Sequence, residues 1–182
     1  MVIVENVSKL FGQRKVVDNV SIKIPKNKVT SLIGPNGAGK STLLGMMSRL
    51  FEHDTGTITI DDRKIEDWKT DELARKISIL KQANNLNLRI TVRELVAFGR
   101  FPHSKGRLQA EDHAFIDEAI EYMGLTEMQH KYVSELSGGQ RQCAFIAMVV
   151  AQNTEIIFLD EPLNNLDMKH SVEIMQVLRK LV

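Results

Sequence analysis

Gly34-Pro35-Asn36-Gly37-Ala38-Gly39-Lys40-Ser41-Thr42 is the stretch from which the fold is read. It fits G-x-x-x-x-G-K-[ST], follows the apolar run Val29–Ile33 and precedes the helix-like sequence that ends at Leu50. A strand, a glycine-rich loop and a helix in that order are what a phosphate-binding loop requires. Wrapping a phosphate turns several backbone N–H groups inward, through conformations that glycine reaches without steric cost. Gly34, Gly37 and Gly39 supply that freedom. The helix starting near Gly39 adds its positive end, Lys40 is suited to the β- and γ-phosphates, and the Ser41 hydroxyl to magnesium. The competing reading is a glycine turn capping a helix beside a solvated lysine. A nucleoside triphosphate with Mg2+ is the ligand this stretch predicts.

The 182 residues suffice for one domain with a real core, with room for an inserted subdomain. Lys plus Arg number 24 and Asp plus Glu 23, so no global charge argues for a nucleic-acid partner. Cys143 is the single cysteine and lies in an apolar stretch, so no internal disulfide forms and a reducing compartment fits. That stretch, Cys143 to Ala151, is the longest apolar run and falls far short of the roughly 20 residues of a spanning helix. The N-terminus, through Val7, reads as a strand and not as a signal peptide. Any membrane association is therefore expected to come through a partner.

Strands are predicted at Val2–Val4, Val20–Ile24 and Lys28–Ile33, followed by a helix over 40–50 and a hairpin of Gly56–Ile60 with Arg63–Ile65 across Asp61-Asp62. A short helix over 71–76 and a strand at Ile77–Leu80 come next, then an Asn-rich loop over 84–90. Thr91 and Glu94 form a capping-box pattern, and Phe115, Ile116, Ala119, Ile120 and Met123 mark one face of a helix over 109–123. Between them, Gly99 to Gly106 reads as a basic, Pro-containing loop. Ser137 and Gln140 form a second capping-box pattern opening an apolar helix, Glu155–Leu159 reads as a buried strand, and 169–181 as a one-sided helix. Strands alternating with helices give an α/β fold with a mostly parallel sheet, interrupted by an all-helical insertion at about 86–151.

Two further groups carry chemistry. The strand through Leu159 delivers Asp160 and Glu161 to a C-terminal sheet edge, where open α/β folds bind ligands. Asp160 suits a magnesium ion, and Glu161, one residue further out, suits the proton of a water attacking the γ-phosphate. Ser137, Gly138 and Gly139 offer a hydroxyl, two unobstructed N–H groups and a helix N-terminus, which together make an anion site. A plain helix cap explains the same residues equally well, and the residues alone do not say why a chain needs a second phosphate-like site.

The phosphate loop, Leu136-Ser137-Gly138-Gly139-Gln140 and Leu159-Asp160-Glu161-Pro162, in that order, resemble the nucleotide-binding subunit of the ATP-binding cassette (ABC) family across essentially the whole chain. The resemblance implies a P-loop NTPase core, with an antiparallel β subdomain at the N-terminus and the signature motif on an inserted helical subdomain. The implied division is 1–85 with 152–182 as the core and 86–151 as the insertion. It implies ATP and Mg2+ as cofactors and a head-to-tail dimer in which Ser137, Gly138, Gly139 and Gln140 reach the γ-phosphate on the partner's loop. Phe11 matches the adenine-stacking aromatic, usually tyrosine. Gln82 matches the glutamine that senses magnesium and the membrane subunit, and Asp167 the aspartate of the dimer-interface loop. Each has a plainer reading: a turn aromatic, a solvated loop residue and a helix N-cap.

Leu163-Asn-Asn-Leu166, Val96 to His103 and Gly106-Arg-Leu108 resemble the iron-siderophore importers of that family. This implies permease subunits and, indirectly, a substrate-binding protein as partners, with the chain at the cytoplasmic face of a bacterial inner membrane. The basic and aromatic stretch 98–108 would then meet the permease, or else be a solvated loop. His103, His113, His130 and His170 share no ligand spacing, so iron binding by the chain itself is not expected. The family's switch histidine lies beyond Val182, so the resemblance also implies a shortened subunit that binds ATP with little turnover. A soluble ABC-type ATPase and a nucleotide-binding regulatory module stand as the alternatives.

Overall fold

The computed structural model describes residues 1–81, 89–164, 166 and 168–181. The chain divides into two compact units, residues 1–70 and 71–181.

In the first unit, β1 (Val2–Phe11), β2 (Arg14–Ile24), β3 (Thr55–Ile60) and β4 (Arg63–Lys64) form an antiparallel sheet ordered β2-β1-β3-β4. Val4 of β1 stands opposite Ile22 on one side and Ile58 on the other, so alternate apolar residues bury one face. Against β1 and β2 packs α1 (Lys40–Met47), which buries Leu43, Leu44, Met46 and Met47. β1 and β2 extend well past the predicted strands. Asn6 and Asn19 adopt φ of 52° and 50° and absorb the breaks in alternation as bulges, so pairing continues where the pattern lapses. The Asp61-Asp62 turn forms as expected, both residues in the left-handed region that a two-residue hairpin demands.

One expectation fails here: residues 28–33 are not a strand. Among the described residues no strand hydrogen-bonds to them, Val29 is half exposed and Ile33 is 94% exposed. An apolar run becomes a strand only where a neighbour accepts its N–H groups, and this run has no such neighbour among the described residues.

The second unit pairs β5 (Ile77–Leu80) in parallel with β6 (Ile156–Leu159), so the parallel sheet comprises two strands among the described residues. Ahead of β5 lies α2 (Thr70–Lys76). The helices α3 (Val92–Phe98), α4 (Phe101–Ser104), α5 (Ala110–Tyr122), α6 (Gly138–Ala151) and α7 (Met168–Lys180) complete it. Leu80 shares one core with Leu95, Ile116, Ile120 and Ile146. Within the predicted loop 99–106, Phe101–Ser104 is a one-turn helix, because Pro102 sits in its first turn, where the missing N–H costs nothing.

Arg100 and Asp112 are buried charges that tie this unit together. The Arg100 Nε donates to Asp112 at 2.8 Å, with the two side chains 4% and 7% exposed. One Arg100 Nη donates to the Ala151 carbonyl at 3.0 Å, and the guanidinium lies 4.2 Å from the Phe115 ring centre. Asp112 also accepts the Gln109 N–H at 2.9 Å at the start of α5. That backbone bond first, and Arg100 with it, holds the Asp112 carboxyl below its ordinary range. Since the folded value is depressed, this contribution is complete above the unfolded carboxylate value of about 4 and is lost as pH falls through the folded one. Asp112→Ala leaves a buried unpaired guanidinium and is expected to lower the unfolding free energy by about 3–5 kcal/mol at pH 7. Urea titration checks this, and the gap to the unsubstituted protein should narrow when the titration is repeated at about pH 3.

Candidate functional site

Residues 34–39 fold as a loop on the first unit. The Ala38 N–H donates to the Pro35 carbonyl at 3.2 Å, and the Leu43 N–H to the Gly39 carbonyl at 2.9 Å opens α1. Gly37 and Gly39 take φ of 80° and 87°, whereas Gly34 stays out of the left-handed region. A Cβ on Gly39 would stand 2.6 Å from the Val16 carbonyl of β2. Position 39 thus requires glycine for its backbone and for its neighbour.

The N-terminus of α1 has no side-chain cap and no acidic residue in its first turn. Its positive end is left to an anion. Lys40 closes the loop on itself, its Nζ donating to the Gly34 and Pro35 carbonyls at 2.8 and 2.9 Å. Beside it opens a cavity of about 210 Å³ lined by Val16, Val17, Ala38, Gly39 and Lys40. Ser41 and Thr42 continue the helix, with Ser41 exposed.

Phe11 ends β1 and is 49% exposed. Its ring stands perpendicular to Phe51 at 6.2 Å, and Lys9 Nζ lies 5.8 Å from its centre. Asp54 accepts from Lys9 Nζ at 2.8 Å and from the Leu10 N–H at 2.6 Å. These bonds, the lysine's first, hold its carboxyl below the ordinary value.

On the second unit, the Asp160 N–H donates to the Leu80 carbonyl at 2.9 Å, extending the β5–β6 pairing to the first acid. Glu161 then turns out of the strand with φ 48° and accepts the Asn164 side-chain amide at 3.0 Å. At α6, Ser137 Oγ accepts the Gln140 N–H at 3.2 Å and the Gln140 side-chain Oε1 accepts the Ser137 N–H at 3.1 Å, a reciprocal box. A side chain at Gly138 would meet nothing within 4 Å. Packing among the described residues does not require glycine there.

The predicted residues therefore fall into two sets: Phe11 with the loop on residues 1–70, and Ser137–Gln140 with Asp160 and Glu161 on residues 71–181. Gln82 and Asp167 lie outside the described residues. Sequence reading missed Phe51 and Asp54, which hold the end of β1, and Gln142, whose amide donates to the Pro162 carbonyl at 2.9 Å. Only their contacts distinguish them, since none belongs to a local pattern.

Residues 17–164 match the profile of the ABC transporter family. The chain is 60% identical over 182 residues to the petrobactin import ATP-binding protein YclP of Bacillus subtilis, spanning all of this chain and 72% of that protein. It is 44% identical over 173 residues to the iron(3+)-hydroxamate import ATP-binding protein FhuC of the same organism, covering 94% of this chain and 64% of that one. Among solved structures, a nucleotide-free ATP-binding cassette of an ABC transporter superposes with a TM-score of 0.88 at 26% identity, over 100% of this chain and 76% of that one. A dimeric cassette bound to ADP and Pi gives 0.85 at 33% identity, over 100% and 82%.

Gly39→Ala adds both a left-handed strain and a contact with Val16, and is expected to remove about 1–3 kcal/mol of stability. Gly37→Ala has the same strain but nothing within 4 Å of the added methyl, and should lose less by thermal denaturation. Equal losses would show that the Val16 contact does not constrain the loop.

Proposed function

Because the chain belongs to the ABC transporter family, we propose that it is the ATP-hydrolysing subunit of a bacterial importer of ferric siderophores. The observation that carries the nucleotide reading is the uncapped start of α1 behind a left-handed Gly37 and Gly39, with Lys40 folded over the loop. Triphosphate oxygens would take over the Lys40 ammonium from the Gly34 and Pro35 carbonyls and accept hydrogen bonds from the N–H groups of the first turn. Phe11 would stack on the adenine through its open ring surface.

Ser41, Asp160 and Gln82 would hold Mg2+; a hydroxyl, a carboxylate and an amide oxygen are hard donors suited to it. The bound ion neutralises charge on the β- and γ-phosphates. Glu161 would accept the proton of the attacking water. Ser137, Gly138, Gly139 and Gln140 would contact the γ-phosphate held by a second copy, which is supported by the open space over Gly138. Asp167 would stand in the loop at that dimer interface. Permease subunits and, through them, a substrate-binding protein complete the machine, with this chain at the cytoplasmic membrane face. No helix among the described residues is long and apolar enough to cross a membrane, so attachment would run through the permease. The siderophore cargo is supported by the 60% identity to a petrobactin import protein.

Lys40→Ala is expected to weaken Mg-ATP binding by about tenfold or more, the loss of a charge-assisted contact, whereas Glu161→Gln should stay within about threefold. Equilibrium titration decides it, and undiminished binding by the Lys40 variant would sink the nucleotide reading. For cargo, a strain lacking the gene should lose uptake of radioiron presented on petrobactin; unchanged uptake removes that assignment.

A further inference from the structure

Phe51 lies just beyond α1, where the chain folds back on the middle of the helix. Both the Leu50 and the Phe51 N–H groups donate to the Gly45 carbonyl, at 2.8 and 3.2 Å. The Phe51 ring then lies on Gly45 so closely that a Cβ there would stand 2.3 Å from Cδ2 and 2.5 Å from Cε2. The ring also faces the Phe11 ring, perpendicular at 6.2 Å. Three residues later Asp54 accepts the Leu10 N–H and Lys9 Nζ, and the Asp54 N–H donates to the Ser8 carbonyl at 3.0 Å. The segment 51–54 thus clasps the end of β1 to the phosphate-loop helix. Phe51 remains 40% exposed beside a Phe11 that is 49% exposed, so filling the core does not account for either ring.

We infer that Phe51 is a positioning residue for the nucleotide base: seated on Gly45 of α1 and meeting Phe11 at a right angle, it sets the stacking ring at a fixed place relative to the phosphate loop. The inference rests on Phe11 being the adenine platform. Stacking gains only if the platform is already in place when the triphosphate is held. Perpendicular ring pairs supply that order. Gly45 has a matching role, because its missing side chain is the seat of the Phe51 ring.

The test compares affinities for Mg-ATP and for Mg-tripolyphosphate, which has the phosphates without the base. Phe51→Ala is expected to weaken ATP by about three- to tenfold and to leave tripolyphosphate unchanged. Gly45→Ala, which displaces the ring while favouring the helix itself, should move ATP the same way. Adding Phe51→Ala to Phe11→Ala should cause no further loss, since both act through one contact. Phe51→Leu serves where the alanine variant does not fold, as judged by circular dichroism, and should fall between the two. Equal weakening of both ligands by Phe51→Ala would reveal general loosening and overturn the inference. So would intact ATP binding by Phe51→Ala where Phe11→Ala binds weakly. If Phe11→Ala itself binds ATP normally, the platform reading fails and takes this inference with it.

Discussion

The Val16 carbonyl of β2 lies where any side chain at position 39 would have to go. That close approach fixes the start of α1 against the hairpin of β1 and β2, and with it the direction in which the first-turn N–H groups point. The hairpin brings Phe11 to its end, and α1 carries Lys40 and Ser41, so one atom-scale contact relates Phe11 to the glycine-rich loop. The Phe51–Gly45 seat repeats the device six residues further on: at Gly39 the missing Cβ makes room for the Val16 carbonyl, and at Gly45 for the Phe51 ring.

Capping shows where the chain satisfies its helix ends and where it does not. α3 opens with a full box, Thr91 Oγ1 accepting the Glu94 N–H and the Glu94 carboxylate accepting the Thr91 N–H; that N–H first, and the Thr91 hydroxyl with it, hold the Glu94 carboxyl below its ordinary value. α1 opens with none. Leaving a helix start without a side-chain cap costs stability, which makes sense where an anion is to be bound. At α6 the two uses coexist. Ser137 Oγ accepts the Gln140 N–H, yet its own hydrogen remains to be donated, so a structural cap and an anion contact are not exclusive readings of this serine.

What was legible in the sequence is what is local. The boxes at Thr91 and Ser137, the Asp61-Asp62 turn, the apolar face of α5 and the loop before α1 each depend on residues a few positions apart, and each is found where the pattern put it. Phe51 could not be read this way, because its meaning comes from Gly45 and Phe11, on two other elements. Arg100 was equally opaque: it sits in a stretch that reads as a basic loop, but it is buried against Asp112, Ala151 and Phe115. The run at 28–33 erred in the opposite direction. Its composition is that of a strand, but strand formation is a property of a pair, and sequence periodicity says nothing of the partner.

Gln142 connects the two halves of the chemistry on the second unit. It lies on α6 within two turns of Ser137, and its amide donates to the carbonyl of Pro162, the residue after Glu161. Glu161 is itself held in a left-handed conformation by the turn that Asn164 closes onto it. A short hydrogen-bonded turn of this kind has little freedom to move alone. The helix that bears the signature serine and the loop that bears the acid are therefore joined by a direct amide–carbonyl bond, not only through the common core. A displacement of α6 along its axis must stretch that bond or carry the Glu161 turn with it. Under the proposed head-to-tail pairing, with Ser137 at one nucleotide and Glu161 at another, such a link would let occupancy at one place bear on the position of the acid at the other.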